Sequence, residues 1–109
     1  MDYAERLRRL VINDACFAGG TGVEPRDLDP KTLALVRLAA LVAVGGAVPS
    51  YGAHADAAVN AGATAAEIVD VLVGVIPVVG LPRVVAAAPK LAMALGYDTD
   101  DALGTDNSG

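Results

Sequence analysis

The sequence predicts an all-α domain of about five to six helices that forms an obligate homo-oligomer. Apolar residues recur at three- and four-residue steps, and prolines and glycines divide the chain at helix-length intervals. The chain has 109 residues, of which 54% are hydrophobic. A monomer of this size cannot bury that much apolar side chain, so part of it should contact another subunit. We expect one helical domain over residues 1–96 and a disordered acidic tail over residues 97–109.

The first half of the chain contains two predicted helices. Four apolar residues on one helical face predict a first helix over about residues 3–17, namely Leu7, Leu10, Val11 and Ala15. The pair Asp29-Pro30 marks the start of the second helix, because aspartate can cap free N–H groups and proline suits the first helical position. This helix should run to about Val44 and end at Gly45-Gly46.

The second half contains three more predicted helices. Pro49 opens the third, which should end near Ala61. Thr64 and Glu67 match a capping box at the start of the fourth, and this favours helix over strand for the β-branched residues that follow. Pro77 should kink or end that helix. The last helix should span about residues 80–95, with a kink or a split at Pro89.

Charge and hydropathy argue against several classes of partner. The net charge is −5, with no basic stripe or aromatic ladder, so we expect no nucleic acid partner. The apolar runs over residues 38–49 and 71–89 are too short or too interrupted to span a membrane. No signal peptide is visible at Met1, and the lone Cys16 fits a reducing compartment, so we expect a cytoplasmic protein. Without a His/Cys/carboxylate cluster, we expect no metal and no cofactor.

His54 is the single histidine and the first candidate for a functional site. A neutral imidazole can act as a general base or acid near neutral pH. The alternative is a structural histidine that bonds to a neighbouring carbonyl. Ser50 and Tyr51 lie four and three residues earlier, where either can bind a ligand beside the imidazole. Both are also ordinary polar residues for the start of a helix.

Two further residues have competing interpretations. Arg37 is a charge in an otherwise apolar helix, where it can pair with an acid across a subunit interface or hold a carboxylate ligand bidentately. Cys16 can be a reactive nucleophile or a small buried residue, and its place near a helix C-terminus disfavours the thiolate. With one cysteine, the chain has no Cys-x-x-Cys pair for a dithiol cycle.

The order of short motifs across most of the chain carries a family resemblance. From N- to C-terminus they are Leu28-Asp29-Pro30-Lys31-Thr32, Leu35-Val36, Ala39, His54, Ala57-Ala58, Asn60-Ala61-Gly62-Ala63-Thr64, Glu67-Ile68, Val71-Leu72 and Gly80-Leu81-Pro82. This order resembles the carboxymuconolactone decarboxylase family, which shares its fold with alkyl hydroperoxidase D. The resemblance implies a helical trimer or hexamer in which His54 corresponds to the active-site histidine.

Several family site residues are replaced in this chain. The hydroperoxidase branch has cysteines seven and four residues before the histidine, where this chain has Ala47 and Ser50. The decarboxylase branch usually has a glutamate at the position of Ser50. The tyrosine and cysteine often found before the Gly-x-Pro turn are Val78 and Val79. Dithiol peroxidase chemistry is therefore not expected.

Three functions are consistent with these residues. The first is an enzyme, a lyase or an isomerase, in which His54 moves a proton on a small organic acid, lactone or ketone. The second is a non-catalytic oligomeric protein that binds a small molecule or assembles with a partner. The third, which has the least support, is a thiol peroxidase that uses Cys16 alone, since the chain holds no resolving thiol.

Overall fold

A computed structural model describes residues 2–20 and 25–96. Over these residues the chain forms five α-helices and one 3₁₀ segment, and no strand. The helices are α1 (Tyr3–Val11), α2 (Pro30–Val44), α3 (Val48–Asn60), α4 (Ala65–Val79) and α5 (Leu81–Ala94), and the 3₁₀ segment is Ala15–Gly20. The all-α prediction is confirmed. The predicted disordered tail lies outside the described residues.

The first helix is shorter than predicted. It ends at Val11, and Asn13 has a φ of 59°, in the left-handed region that asparagine tolerates better than most residues. The Asp14 carboxylate then accepts a hydrogen bond from the backbone N–H of Cys16 at 2.8 Å, which starts the 3₁₀ segment. The expectation of one helix over residues 3–17 is therefore wrong, because this local turn divides it in two.

The starts of α2 and α4 follow the predicted caps. Oδ1 of Asp29 accepts the backbone N–H of Thr32 at 2.7 Å. At α4, Oγ1 of Thr64 accepts the N–H of Glu67 at 3.1 Å, while Oε1 of Glu67 accepts the N–H of Thr64 at 2.9 Å. This reciprocal pair confirms the capping box and the helical prediction for the β-branched segment.

Neither interior proline ends its helix. Pro77 lies within α4, which continues to Val79, and Pro89 lies within α5, which continues to Ala94. Of the predicted kink or end at Pro77 the end does not occur, and of the predicted kink or split at Pro89 the split does not occur. Proline removes only one backbone donor, and the residues beyond each proline still pack on the core: Val79 is partly buried and Leu91 is 1% exposed.

Helices α2 to α5 form a bundle around one apolar core, and α3 packs chiefly on α2 and α5. The largest fully buried side chains are Tyr51, Leu38, Ile68, Leu91 and Val42, so all four helices contribute. Helix α1 has no buried residue.

Many large apolar side chains remain exposed on the single chain. Val78, Val44 and Val11 are each at least 77% exposed. Such a surface is typical of a protein that associates, and assembly as a trimer or hexamer stays a prediction. In the described residues, no helix combines the length and apolar character that a membrane span requires.

Candidate functional site

A groove between α2 and α3 contains His54. Its volume is about 370 Å³. Helix α2 contributes Pro30, Leu33, Ala34 and Arg37, and α3 with the residue that follows it contributes Ala53, His54, Ala57 and Ala61. The structure therefore brings Arg37 and His54, two of the residues singled out in the sequence, into one groove.

The direction of His54 follows from the two faces of α3. Tyr51, Ala55 and Ala58 are buried in the core of the bundle. His54, Ala57 and Ala61 follow one another at steps of three and four residues, so they share the face that looks into the groove. The imidazole is half-buried. It forms no hydrogen bond with another described residue, so the described chain supplies no carbonyl partner of the kind that a structural histidine would use.

Arg37 reaches the groove from the opposite wall. Leu33 and Ala34 precede it by one helical turn and line the same groove. Among residues 2–20 and 25–96, no carboxylate lies within 4.0 Å of the Arg37 side-chain nitrogens. The planar guanidinium thus keeps its donors available for a ligand or for another subunit.

Ser50 and Tyr51 lie away from the groove. Ser50 is exposed in the first turn of α3 and is not part of the groove wall. Tyr51 is 1% exposed, its hydroxyl lies 3.5 Å from the carbonyl oxygen of Leu41, and burial raises the pKa of its phenol. It lines a second, smaller cavity of about 70 Å³ together with Arg83 and Lys90. The structure therefore does not bring Tyr51 together with His54.

Cys16 belongs to a different part of the molecule. It is half-buried in the 3₁₀ segment, and its backbone N–H bond to Asp14 lowers the pKa of that carboxyl group. It does not line the groove of His54. Among the described residues, no group of three or more His, Cys, Asp or Glu side chains could hold a metal ion.

Only some of the apolar residues that line the groove could be predicted from the sequence. Ala57 and Ala61 share the helical stripe of His54, whereas Ala53, Leu33 and Ala34 become site residues only when α2 packs on α3. The signal available in the sequence was the spacing of His54, Ala57 and Ala61 at steps of three and four residues. The small alanine side chains leave room for a ligand between the two helices.

The groove combines one group that can exchange a proton with one permanent positive charge. The remaining side chains of its wall are apolar. A small ligand with a carboxylate or another polarised oxygen could bind Arg37 and present a carbon atom to the imidazole.

The chain is similar to a known protein family. No curated protein and no solved structure matches the chain. The family model described as "Carboxymuconolactone decarboxylase family" matches residues 11–92, which include all of α2, α3 and α4 and both Arg37 and His54. Because this match covers most of the sequence, the chain belongs to the carboxymuconolactone decarboxylase family.

Proposed function

We propose that this protein is a small-molecule enzyme in which Arg37 binds the carboxylate of an organic acid and His54 transfers a proton to or from it. The observation that carries the proposal is the shared groove: both side chains line it, from different helices, and neither has a polar partner within the described chain. Membership of the family supports a site at His54, because the resemblance aligns this residue with the family's active-site histidine.

The groove suits a reaction that needs one proton carrier. In an isomerisation, neutral imidazole removes a proton from a carbon next to a carbonyl, and the imidazolium returns it at another carbon. In a decarboxylation, the carbon–carbon bond breaks, carbon dioxide leaves, and the imidazolium protonates the carbon that keeps the electron pair. In both cases the Arg37 guanidinium neutralises a carboxylate or the oxygen on which negative charge develops.

A non-catalytic binding protein is the second candidate. It is favoured by the composition of the wall, since no carboxylate side chain of the described residues lines the groove beside His54. A binding protein needs only Arg37 and the apolar walls, whereas an enzyme also needs His54. The Cys16 peroxidase is the weakest alternative, because Cys16 is outside this groove.

His54→Gln separates the two candidates. Glutamine keeps a polar side chain of similar reach but cannot carry a proton near neutral pH. A panel of small carboxylic acids, lactones and ketones is tested for turnover and for binding. For an enzyme, we expect His54→Gln to lower kcat by at least about 100-fold while ligand binding is largely retained.

Asp56→Asn is the matched control, because Asp56 is exposed on the same helix and does not line the groove. Its turnover should equal that of the unaltered protein. Binding without turnover in the unaltered protein would reject the enzyme in favour of the binding protein. Turnover that survives in His54→Gln would reject His54 as the proton carrier and place the chemistry at another residue.

A further inference from the structure

We propose that the groove between α2 and α3 selects monocarboxylates with an apolar body and discriminates against dicarboxylates of the same shape. This inference rests on the proposed function, since it concerns the same groove, and it adds the charge and the polarity of the ligand. It follows from the hydrogen-bond and ion-pair partners of the cationic side chains on the four helices of the bundle.

Helices α2 to α5 carry four cationic side chains, and three of them are engaged elsewhere. Nζ of Lys31 lies 3.1 Å from Oε2 of Glu67. Nη1 of Arg83 donates to the carbonyl oxygen of Ala43 at 2.9 Å. Nζ of Lys90 donates to the carbonyl oxygen of Gly46 at 2.8 Å. Arg37 is the remaining cation, and within the described chain it has neither an ion pair nor a hydrogen bond.

The position of Arg37 on the groove wall determines which charge a ligand can carry. The three engaged cations do not line the groove, whereas Arg37 does. The groove therefore offers one fork of donors, which matches one carboxylate. The other wall residues, His54 apart, are Pro30, Leu33, Ala34, Ala53, Ala57 and Ala61, and none has a polar side chain.

A second carboxylate on the ligand would find no second cation on this wall, where the one other donor is a single ring N–H of neutral His54. Against the methyl and methylene groups of the remaining wall it would lose water without a charged partner. An apolar body gains from the same contacts by leaving water. The volume of about 370 Å³ is at the lower end of small-molecule sites and suits one ring with short substituents.

Three probes with one ring and different charges test this selectivity: benzamide, benzoate and terephthalate. Binding is followed by the imidazole NMR signals, which report His54 alone in the untagged protein. Measurements are made at about pH 8, where free imidazole is neutral. We expect benzoate to bind about tenfold more tightly than benzamide and about fivefold more tightly than terephthalate.

Two variants test the origin of the preference. Arg37→Gln should remove the advantage of benzoate over benzamide. Ala53→Lys adds a second cation at an exposed position of the groove wall and should make terephthalate bind at least as tightly as benzoate. Far-UV circular dichroism checks that each variant keeps the helical content of the unaltered protein. Ala53→Leu, which adds bulk without charge at the same position, is the control and should leave terephthalate the weaker ligand.

The outcomes distinguish this inference from the proposed function. Terephthalate binding as tightly as benzoate to the unaltered protein overturns the selectivity, even if His54-dependent turnover is found. A preference for benzoate supports the selectivity, even if His54→Gln leaves turnover unchanged and His54 is rejected as the proton carrier. His54 signals that ignore all three probes at millimolar concentration overturn the selectivity as well.

Discussion

The ammonium group of Lys31 lies 3.1 Å from Oε2 of Glu67, so the first turn of α2 is joined to the capping box of α4. The other oxygen of the same carboxylate accepts the backbone N–H of Thr64. One side chain thus caps its own helix and contacts a neighbouring one. The N–H of Thr64 and, after it, the ammonium of Lys31 lower the pKa of Glu67 below its ordinary value of 4.5.

This lowered pKa predicts a loss of stability in acid. A carboxyl group whose pKa is lower in the folded state stabilises the fold above its unfolded pKa, and the contribution disappears as the pH falls through the folded value. We expect the unfolding midpoint in urea to fall as the pH drops below about 4.5, and to fall less in Glu67→Gln. Asp70→Asn, at an exposed position of the same helix, should reproduce the unaltered pH dependence. An identical dependence in Glu67→Gln would contradict the assignment.

Tyr51 is predicted to be a core residue with no part in ligand binding. Its hydroxyl lies 3.5 Å from the Leu41 carbonyl oxygen, at the limit of a hydrogen bond, so Tyr51→Phe should cost less than about 1 kcal/mol of unfolding free energy. Tyr51→Ala should cost about 3–5 kcal/mol, because it empties a buried aromatic site. Benzoate binding should be unchanged in Tyr51→Phe. A large loss of binding in that variant would place the phenol at the ligand.

Two neighbouring positions of α2 should respond differently to the same substitution. Leu38 is 0% exposed and packs in the centre of the bundle, so Leu38→Ala should lower the unfolding free energy by about 2–5 kcal/mol. Val36 is 50% exposed, and Val36→Ala should be close to neutral, since alanine is the better helix former. Urea denaturation of both variants measures the difference. Equal losses would mean that Val36 is buried in the protein as it exists in solution.

Hydrogen bonds donated by two side chains of α5 to carbonyl oxygens at the C-terminal end of α2 are predicted to contribute to stability. Lys90 donates to Gly46 in a partly buried contact, and Arg83 donates to Ala43 in an exposed one. We expect Lys90→Met to cost about 1 kcal/mol and Arg83→Met to cost less, because water replaces an exposed donor more easily. Thermal unfolding of the two variants tests this order. The reverse order would show that the Lys90 contact contributes little to stability.

Assembly is predicted from the apolar side chains that the single chain exposes. Val73 on α4 and Val85 on α5 are 60% and 61% exposed. Light scattering at micromolar concentration should give the mass of a trimer or a hexamer. Val73→Lys should lower that mass, if α4 lies in the interface, whereas Asn60→Lys serves as a control at an exposed polar position. A monomeric mass for the unaltered protein would contradict the prediction.

The boundaries of the helices were largely predictable because their signals are local. Asp29 and Thr64 cap the helices that the sequence assigned to them, and Gly45, Gly80 and Gly96 adopt positive φ at or just beyond helix ends. Caps depend on residues a few positions apart, so they can be recognised without knowledge of the fold. The turn at Asn13 is local too, but the apolar spacing around it suggested a continuous helix.

The composition of the site was decided only by tertiary structure. Tyr51 and His54 lie within one turn of α3, yet one side chain is in the core and the other is in the groove. The sequence by itself determined the helical class and most of the helix boundaries, and it identified His54 as a candidate site residue. That Arg37 shares a groove with His54 while Tyr51 lies in the core was settled by the packing of α2 and α5 on α3. The physical reason is that a helix presents side chains in all directions, and only its neighbours determine which of them share a cavity.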